Sequence, residues 1–254
     1  MSLANYSDLI DRAVLVTGGA TGIGADIVRA FAAQGCQVGF LDIQDQAAAG
    51  LMAELAGARH VPVFRPCDLT DLTALQAAIR DMATIMGPCG VLVNNAANDQ
   101  RHTLADVTEA MWDDLMAINL RPQFFAAQAV APMMAEQGGG VIINISSIAW
   151  RFGPEQMPVY GAAKAGVIGL TNALARALGP QKIRVNAIEP GAVMTERQRK
   201  LWYPTQESVD AMTARQVLQT PLLGSDIADA AVFLASDAAR MITKQVLVVD
   251  AGMS

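Results

Sequence analysis

The sequence predicts a single α/β domain of the doubly wound Rossmann type, in which helices flank a seven-stranded parallel sheet. Short apolar runs alternate with longer helical stretches along the chain, which is the pattern of parallel strands joined by helical crossovers. The runs are continuously apolar, as expected for strands that helices cover on both faces. No linker, repeat or low-complexity segment divides the sequence, so one domain is expected to account for residues 1–254.

Each predicted strand is a short apolar run beside a turn or helix signal. The predicted strands occupy residues 13–16, 37–41, 61–64, 91–93, 141–145, 183–188 and 246–249. The predicted helices occupy residues 23–34, 46–56, 71–86, 106–134 and 159–178. Within the longest helix, Arg121-Pro122 is expected to cause a break, because proline disfavours helical backbone in the residue before it.

The stretch 194–223, between the sixth and seventh predicted strands, differs from the rest in composition. It is polar and contains Trp202, Tyr203 and two prolines. Long insertions in compact domains are usually functional loops. We therefore expect this stretch to cover the substrate.

Composition narrows the class of protein. A formal net charge of −6 argues against a nucleic-acid partner and against binding to an anionic membrane surface. The amino-terminal residues show no signal-peptide pattern, and no run reaches the roughly 18 apolar residues of a membrane span, so a cytoplasmic protein is expected. Three cysteines without paired spacing fit a reducing compartment. A charged fraction of 17% favours some surface being buried between subunits.

Three spaced glycines, Gly18, Gly22 and Gly24, follow the first strand and open the first helix. Their lack of a side chain permits a tight turn and a close approach of the backbone to a pyrophosphate, which N–H groups at the helix start can bind. An ordinary tight turn is the alternative, and the position between a strand and a helix makes it less favoured.

Asp42 ends the second predicted strand, 18 residues after Gly24. A carboxylate at this position accepts hydrogen bonds from the ribose hydroxyls of NAD and repels the 2′-phosphate of NADP. Neither Thr21 nor residues 43–46 supply an arginine or lysine that could hold such a phosphate. The sequence therefore predicts NAD as the cofactor, against the alternative of a solvated aspartate at a strand end.

Tyr160 and Lys164 are four residues apart in a predicted helix, so their side chains share one face. A phenol has an ordinary pKa of about 10, and a neighbouring ammonium should lower that pKa and make the phenol a proton donor and acceptor. Ser147 precedes Tyr160 by 13 residues, directly after the fifth strand, where its hydroxyl could bond the reacting oxygen. Tyrosine and lysine at this spacing are often only neighbours on the surface of a helix. The position of Ser147 directly after the fifth strand favours the catalytic interpretation.

These motifs, in this order, resemble the short-chain dehydrogenase/reductase family over essentially the whole chain. The family's glycine motif corresponds to residues 17–24, and its NNAG motif corresponds to residues 94–97, with Ala97 in place of glycine. Its PG motif corresponds to Pro190-Gly191, followed by a threonine at 195. The resemblance implies a set of cofactor-binding residues: Gly18, Thr21, Gly22, Ile23, Gly24, Asp42, Asp68, Leu69, Asn95, Ala96, Ala97, Tyr160, Lys164, Pro190, Gly191, Val193 and Thr195.

The resemblance also implies an enzyme with Asn119, Ser147, Tyr160 and Lys164 as catalytic residues. Tyr160 would exchange a proton with the substrate oxygen, and Ser147 would steady that oxygen. Lys164 would hold the nicotinamide ribose and lower the pKa of the phenol, while Asn119 would position a water that links the lysine to solvent. The cofactor supplies the hydride chemistry. Members of the family usually form tetramers, so a homotetramer is expected.

Three local segments point to the class of substrate. They are residues 98–102 after the fourth strand, residues 147–151 after the fifth strand, and residues 196–203 in the stretch 194–223. These segments resemble those of bacterial aldose 1-dehydrogenases, especially D-xylose 1-dehydrogenases. Their amide, guanidinium and indole groups suit a sugar, which has several hydroxyls and a flat apolar face. The predicted substrate contacts are Asn98, Gln100, Trp150, Arg151, Arg197 and Trp202.

The reaction implied is oxidation of a cyclic aldose sugar at its anomeric carbon to an aldonolactone. A polyol dehydrogenase or a carbonyl reductase acting on an open-chain substrate is the alternative. A regulatory protein without catalysis is disfavoured, because Ser147, Tyr160 and Lys164 are all present. His60 and His102 show no metal-ligand spacing, so no metal site is predicted.

Overall fold

The computed structural model describes residues 4–254, through which one parallel sheet extends. The strands are β1 (Ala13–Thr17), β2 (Gln37–Asp42), β3 (Val63–Pro66), β4 (Val91–Asn94), β5 (Gly140–Ile145), β6 (Ile183–Pro190) and β7 (Val246–Val249). Their order across the sheet is β3-β2-β1-β4-β5-β6-β7, and every neighbouring pair is parallel. The predicted seven-stranded, doubly wound fold is confirmed.

Helices connect the strands. They are α1 (Gly22–Ala33), α2 (Asp45–Glu54), α3 (Leu72–Met86), α4 (Glu109–Asn119), α5 (Arg121–Glu136), α6 (Ala149–Phe152), α7 (Pro158–Leu178), α8 (Glu196–Leu201), α9 (Gln206–Thr213) and α10 (Gly224–Ala235). The long helix is broken one residue before the predicted Arg121-Pro122, at Leu120, with φ −131° and ψ −52°. Arg121 itself is helical, and Pro122 lies in the first turn of α5, where its missing N–H is tolerated. The sequence pattern does not predict α10, which begins at a glycine.

The third strand begins at Val63, two residues later than the predicted 61–64. Pro62 has no N–H to donate to a strand ladder. Pairing with β2 therefore starts after the proline, with Val63 opposite Gly39. The other predicted strands agree with the observed ones to within about two residues at each end.

Alternate residues of the strands pack against opposite layers of helices, because side chains in a strand point alternately to its two faces. Val14 and Val16 of β1 pack in a core with α1, α2 and α10. Ala13 and Leu15 of the same strand pack in a second core with α3, α5 and α7. This double burial explains why β1 carries apolar side chains on both of its faces.

The crevice of the fold opens where β1 and β4 lie side by side. The chain leaves these strands toward opposite halves of the sheet, which is the arrangement that binds ligands at the carboxyl ends of doubly wound sheets. Thr17, Asn94 and Asn144 are in register on adjacent strands, so the loops after β1, β4 and β5 emerge at one edge. Within residues 4–254, the helices fall short of the length and apolar character needed to cross a bilayer.

Candidate active site

The turn after β1 has no room for side chains. Gly18 has φ +65°, and a Cβ placed on it would lie 2.7 Å from the Cα of Ala96. A Cβ on Gly24 would lie 1.8 Å from the carbonyl oxygen of Gly18. Gly22, the first residue of α1, also has a positive φ of 56°. The backbone at the start of α1 is therefore open to close approach, and it fits the pyrophosphate of a dinucleotide.

Asp42 lies beside this turn at the end of β2, and its side chain is buried. One carboxylate oxygen accepts from the N–H of Ala20 at 3.0 Å. The other accepts from the N–H groups of Ile43 and Gln44 at 2.8 and 3.1 Å. The hydroxyl of Thr21, at the N-cap of α1, accepts from the Gln44 side chain at 3.2 Å. These bonds fix the carboxylate in position, and it retains acceptor capacity for ribose hydroxyls.

Asp68 and Leu69 follow β3 on the same side of the crevice. The N–H of Cys67 donates to the carbonyl of Asp42 at 2.9 Å, which brings this segment beside the end of β2. Asp68 is exposed and accepts from the N–H and the hydroxyl of Thr70, and these bonds lower the pKa of its carboxyl. Leu69 is buried beneath it.

Asn95 ties the loop after β4 to β1. Its N–H donates to the hydroxyl of Thr17 at 3.0 Å, and its side-chain amide donates to the carbonyls of Thr17 and Gly18 at 3.2 and 2.8 Å. Ala96 packs against Gly18. Ala97, which replaces the family's glycine, is exposed and lines the cavity next to the catalytic residues.

Tyr160 and Lys164 lie one turn apart on α7, as the spacing predicts, and both are buried. The Nζ of Lys164 lies 5.5 Å from the centroid of the Tyr160 ring and donates to the carbonyl of Ile145 at 2.9 Å. Ser147 follows β5, and its hydroxyl accepts from the N–H of Ala149 at 3.1 Å. The same hydroxyl lies close enough to the Tyr160 phenol to act against the rise of its pKa. The end of β5 and the start of α7 thus bring a phenol, an ammonium and a hydroxyl together.

The electrostatics of this pair differ from the expectation that Lys164 lowers the pKa of Tyr160. Burial raises the pKa of Tyr160 above its ordinary range, the nearby Asp99 carboxylate raises it further, and only the Ser147 hydroxyl acts in the opposite direction. Burial also lowers the pKa of Lys164 to about 8. The correction has a simple cause: in this buried position, loss of hydration disfavours the charged form of each group.

Asn119 is fully buried at the carboxyl end of α4. Its side-chain oxygen accepts from the N–H of Asn98 at 2.8 Å, and its side-chain nitrogen donates to the carbonyls of Asn98 and Leu115 at 3.0 and 2.9 Å. Its backbone carbonyl accepts from the Gln123 side chain at 3.4 Å. The Asn119 side chain therefore clamps the loop after β4, a role that the sequence does not predict.

A cavity of about 370 Å³ lies next to Tyr160. Trp202 and Tyr203 line it, so the stretch 194–223 forms one of its walls. Thr195, in the same stretch, also contributes. The predicted cofactor residues that line the cavity, apart from Tyr160 and Lys164, are Ile23, Asn95, Ala97, Pro190, Gly191, Val193 and Thr195.

Of the six predicted substrate contacts, Trp202 is the one that lines this cavity in the described part of the chain. Asn98 and Gln100 do not line it, whereas Asp99 and Arg101 do. The loop 98–102 has no regular secondary structure, and the N–H of Gln100 donates to the Asn98 side chain at 3.1 Å. In this loop, the cavity is therefore lined by the two residues that alternate with the predicted contacts.

Helix α8 lies in the stretch predicted to cover the substrate and is called the lid helix below. Its period also decides which of its side chains face the cavity. Gln198 and Trp202, which are four residues apart, both line the cavity. Arg197 is five residues from Trp202 and cannot share its face. Its side chain is 57% exposed and pairs with Asp99 at 3.1 Å.

Trp150 and Arg151 bind a buried carboxylate instead of lining the cavity. The Nε1 of Trp150 donates to Glu189 at 2.7 Å, and the Nε of Arg151 donates to it at 2.6 Å. The Glu189 side chain is completely buried. Their helix neighbours Ala149 and Phe152 face the cavity. Glu189 therefore attaches the segment after Ser147 to the end of β6.

His102 is a further residue that the motif analysis missed. It is buried, and its Nε2 accepts from the N–H of Val159 in the first turn of α7 at 3.3 Å. Its Nδ1 lies 3.0 Å from the carbonyl of Gln100, to which the neutral ring can donate. A buried histidine near a helix that begins with proline is the signal that could have predicted this contact.

The chain is similar to known proteins over nearly its whole length. A family model described as enoyl-(acyl carrier protein) reductase matches residues 18–254. A protein of Rhizobium meliloti named "probable galactose dehydrogenase" is 47% identical, with 98% of each chain covered. A D-xylose 1-dehydrogenase of Caulobacter vibrioides is also 47% identical, with 99% of each chain covered.

Two solved structures are similar over nearly the whole chain. A proposed short-chain alcohol dehydrogenase of Sinorhizobium meliloti has a TM-score of 0.92 and 35% identity, with 98% of each chain covered. A blue fluorescent protein from a metagenomic library, crystallised with NADPH, has a TM-score of 0.89 and 33% identity, covering 97% of this chain and 99% of its own. Both structures match the whole catalytic domain and not an isolated part of it.

Proposed function

Because the chain belongs to the short-chain dehydrogenase/reductase family, we propose that it oxidises a cyclic aldose at the anomeric carbon to the aldonolactone, with NAD as the cofactor. The observation that carries this proposal is the 47% identity, over nearly all of each chain, with relatives named for galactose and D-xylose. The cavity lining combines the polar side chains of Asp99 and Gln198 with the flat ring of Trp202, which supports the proposal.

The residues of the site divide the chemistry between them. Tyr160 takes the proton of the anomeric hydroxyl as the carbon–hydrogen bond breaks, and Ser147 hydrogen-bonds the same oxygen. The nicotinamide cofactor, when bound, supplies the hydride acceptor. Burial disfavours the phenolate that accepts this proton in the free protein. The proposal therefore requires the Lys164 ammonium, 5.5 Å from the ring centroid, to act as its counter-charge when cofactor and sugar are bound.

Asp42 supports NAD over NADP as the cofactor. Its carboxylate is held by three backbone N–H groups beside the glycine turn, where it can accept from ribose hydroxyls. A 2′-phosphate at the same place would meet a fixed negative charge. The bound NADPH in the similar structure is the cofactor of that protein. An assay with NAD and with NADP decides which cofactor this chain prefers.

The decisive experiment is a panel of pentoses, hexoses and sugar alcohols assayed with NAD and with NADP. Reduced cofactor is followed by absorbance, and the lactone is trapped with hydroxylamine. We expect turnover of at least one aldose, with lactone as product and with NAD preferred. Turnover confined to sugar alcohols or to open-chain ketones would favour the alternative, and no turnover of any aldose would refute the proposal.

A homotetramer in the cytoplasm is part of the same proposal. The edge strand β7 is apolar and only half-buried, and Trp112 and Phe124 are 45% and 41% exposed on α4 and α5. Unpaired edges and apolar surface of this kind are commonly covered in an assembly. Light scattering of the purified protein measures the subunit number, and cell fractionation tests the compartment.

A further inference from the structure

Asp99 joins the loop after β4 to the lid helix α8. Its Oδ1 accepts from the Nε of Arg197 at 3.1 Å, and its Oδ2 accepts from the Nε2 of Gln198 at 2.6 Å. In the same loop, the guanidinium of Arg101 stacks on the ring of Trp202, 3.8 Å from the centroid. Two loop residues therefore hold the lid wall of the cavity in place.

These bonds do not use the full capacity of the Asp99 carboxylate. An ionised carboxylate offers about four acceptor positions, and the two bonds from α8 leave about two. Asp99 lines the cavity, and 21% of its side chain is exposed, so a molecule in the cavity can reach the remaining positions. Hydroxyl groups bind a carboxylate through short, charge-assisted hydrogen bonds.

Asp99 also lies close to the reacting groups. Its charge raises the pKa of Tyr160 and opposes the lowering of the pKa of Lys164, and such an influence requires proximity. A sugar whose anomeric oxygen is bonded to Tyr160 carries further hydroxyls on the neighbouring ring carbons. Some of these hydroxyls then lie on the side of the cavity that Asp99 occupies.

We propose that Asp99 is a specificity-determining residue, which accepts hydrogen bonds from ring hydroxyls of the sugar while it holds the lid helix α8 in position. The inference rests on the proposed aldose oxidation. It assigns the discrimination between aldoses to the loop after β4, at a residue that the motif analysis does not identify.

The test compares the effect of removing one hydroxyl from the sugar with the effect of removing the Asp99 carboxylate. The kcat and KM of the wild-type protein are measured for its best aldose and for each monodeoxy analogue of that sugar. The series is repeated with Asp99→Ala and with the shape-conserving Asp99→Asn. Binding of reduced cofactor, followed by fluorescence, confirms that each variant is folded.

We expect one or two deoxy analogues to lose about tenfold to a hundredfold in kcat/KM with the wild-type protein, because a hydrogen bond to a charged group is lost. With Asp99→Ala, removal of the same hydroxyl should have less than about a threefold effect. Two control variants isolate the other roles. Arg197→Ala removes one contact between the lid helix and Asp99, and it should change kcat/KM for all sugars by a similar factor. Asp106→Asn removes the same charge as Asp99→Asn, but from an exposed carboxylate that bonds Thr103, and it should keep the wild-type discrimination between sugars.

The possible outcomes separate the hypotheses. If Asp99→Ala and Asp99→Asn lower kcat/KM by one common factor for every sugar, as Arg197→Ala does, Asp99 is a lid anchor and the inference is wrong. If the wild-type protein oxidises no aldose at all, the proposed function itself fails, and the inference fails with it.

Discussion

The two ends of the crevice are built on different principles. At the cofactor end, the functional residues lie at the ends of β1, β2 and β4, and backbone geometry decides their identity, as Gly18 and Gly24 show. At the end proposed to bind the sugar, the wall includes a loop and the short helices α6 and α8, where the direction of each side chain depends on the local backbone conformation. At a strand end, the location of a residue thus follows from its position in the sequence. In a loop, the location of a side chain depends on the backbone conformation of the neighbouring residues.

The largest expected effect lies where the two ends meet, at Tyr160. Tyr160→Phe removes the proton acceptor and should reduce kcat by about 10²- to 10⁴-fold. Cofactor binding should persist, because the glycine turn and Asp42 are untouched. Stopped-time assays of reduced cofactor measure the first quantity, and fluorescence titration measures the second. A variant that keeps most of its rate would overturn the assigned chemistry.

The two arginines predicted to bind substrate provide the next contrast. Arg151→Ala leaves the buried Glu189 carboxylate without its cation, so we expect the free energy of unfolding to fall by about 3–5 kcal/mol. Arg197→Ala breaks a more exposed pair, and its cost should be below about 1 kcal/mol. Urea unfolding of both variants gives the comparison. Wild-type stability with a raised KM for sugar in Arg151→Ala would instead place Arg151 in the substrate site.

Stability should also depend on pH through Lys164. Burial lowers its pKa to about 8, whereas a lysine in the unfolded chain titrates at about 10.4. Below about pH 8 both states are protonated, and the contribution is constant. Between these two values the unfolded state binds more protons, so the free energy of unfolding rises with pH.

Lys164→Met is the matched control for this effect. The variant lacks the titrating ammonium, so its free energy of unfolding should not show this rise. Between about pH 8 and pH 10, the free energy of unfolding of the wild type should therefore increase relative to that of the variant by on the order of 2–3 kcal/mol. Denaturant unfolding of both proteins at several pH values, without cofactor, measures the difference. A difference that stays constant across this window would show that Lys164 titrates normally in the fold.

The smallest effect is expected at the cofactor end. Asp42→Ala removes an acceptor for ribose hydroxyls and a charge that repels a 2′-phosphate, so the ratio of kcat/KM for NAD over NADP should fall about tenfold to a hundredfold. Glu54→Ala, at an exposed ion pair of α2, is a control that should keep the wild-type ratio. An unchanged ratio in Asp42→Ala would remove Asp42 as the selector.

The same contrast explains what could be predicted from the sequence. The seven strands and the positions of Asp42, Ser147, Tyr160 and Lys164 follow from apolar runs and fixed spacings, which the parallel sheet converts directly into a shared edge. The cavity wall formed by the loop 98–102 could not be predicted in this way, because the loop has no regular secondary structure whose period would fix the side-chain directions.

Two buried polar residues carried signals that spacing alone does not use. Glu189 follows an apolar pair near the end of β6, and a buried charge requires a partner, which the structure supplies in Arg151. His102 stands directly before an acidic, exposed turn, yet it is buried against α7. Such residues are detected by their conflict with the surrounding pattern and not by a motif.

Thr195 connects the two ends of the crevice. Its methyl group lies 3.4 Å from the position of a Cβ on Gly22, and its hydroxyl accepts from the N–H of Gln198, the residue that binds Asp99. A ligand that shifts α8 at one end is therefore expected to change binding at the other end. Thermodynamic linkage then requires the two ligands to change each other's affinity by one common factor. Calorimetric titration of each ligand in the presence and absence of its partner measures that factor, and a value of one would show that the two affinities are independent.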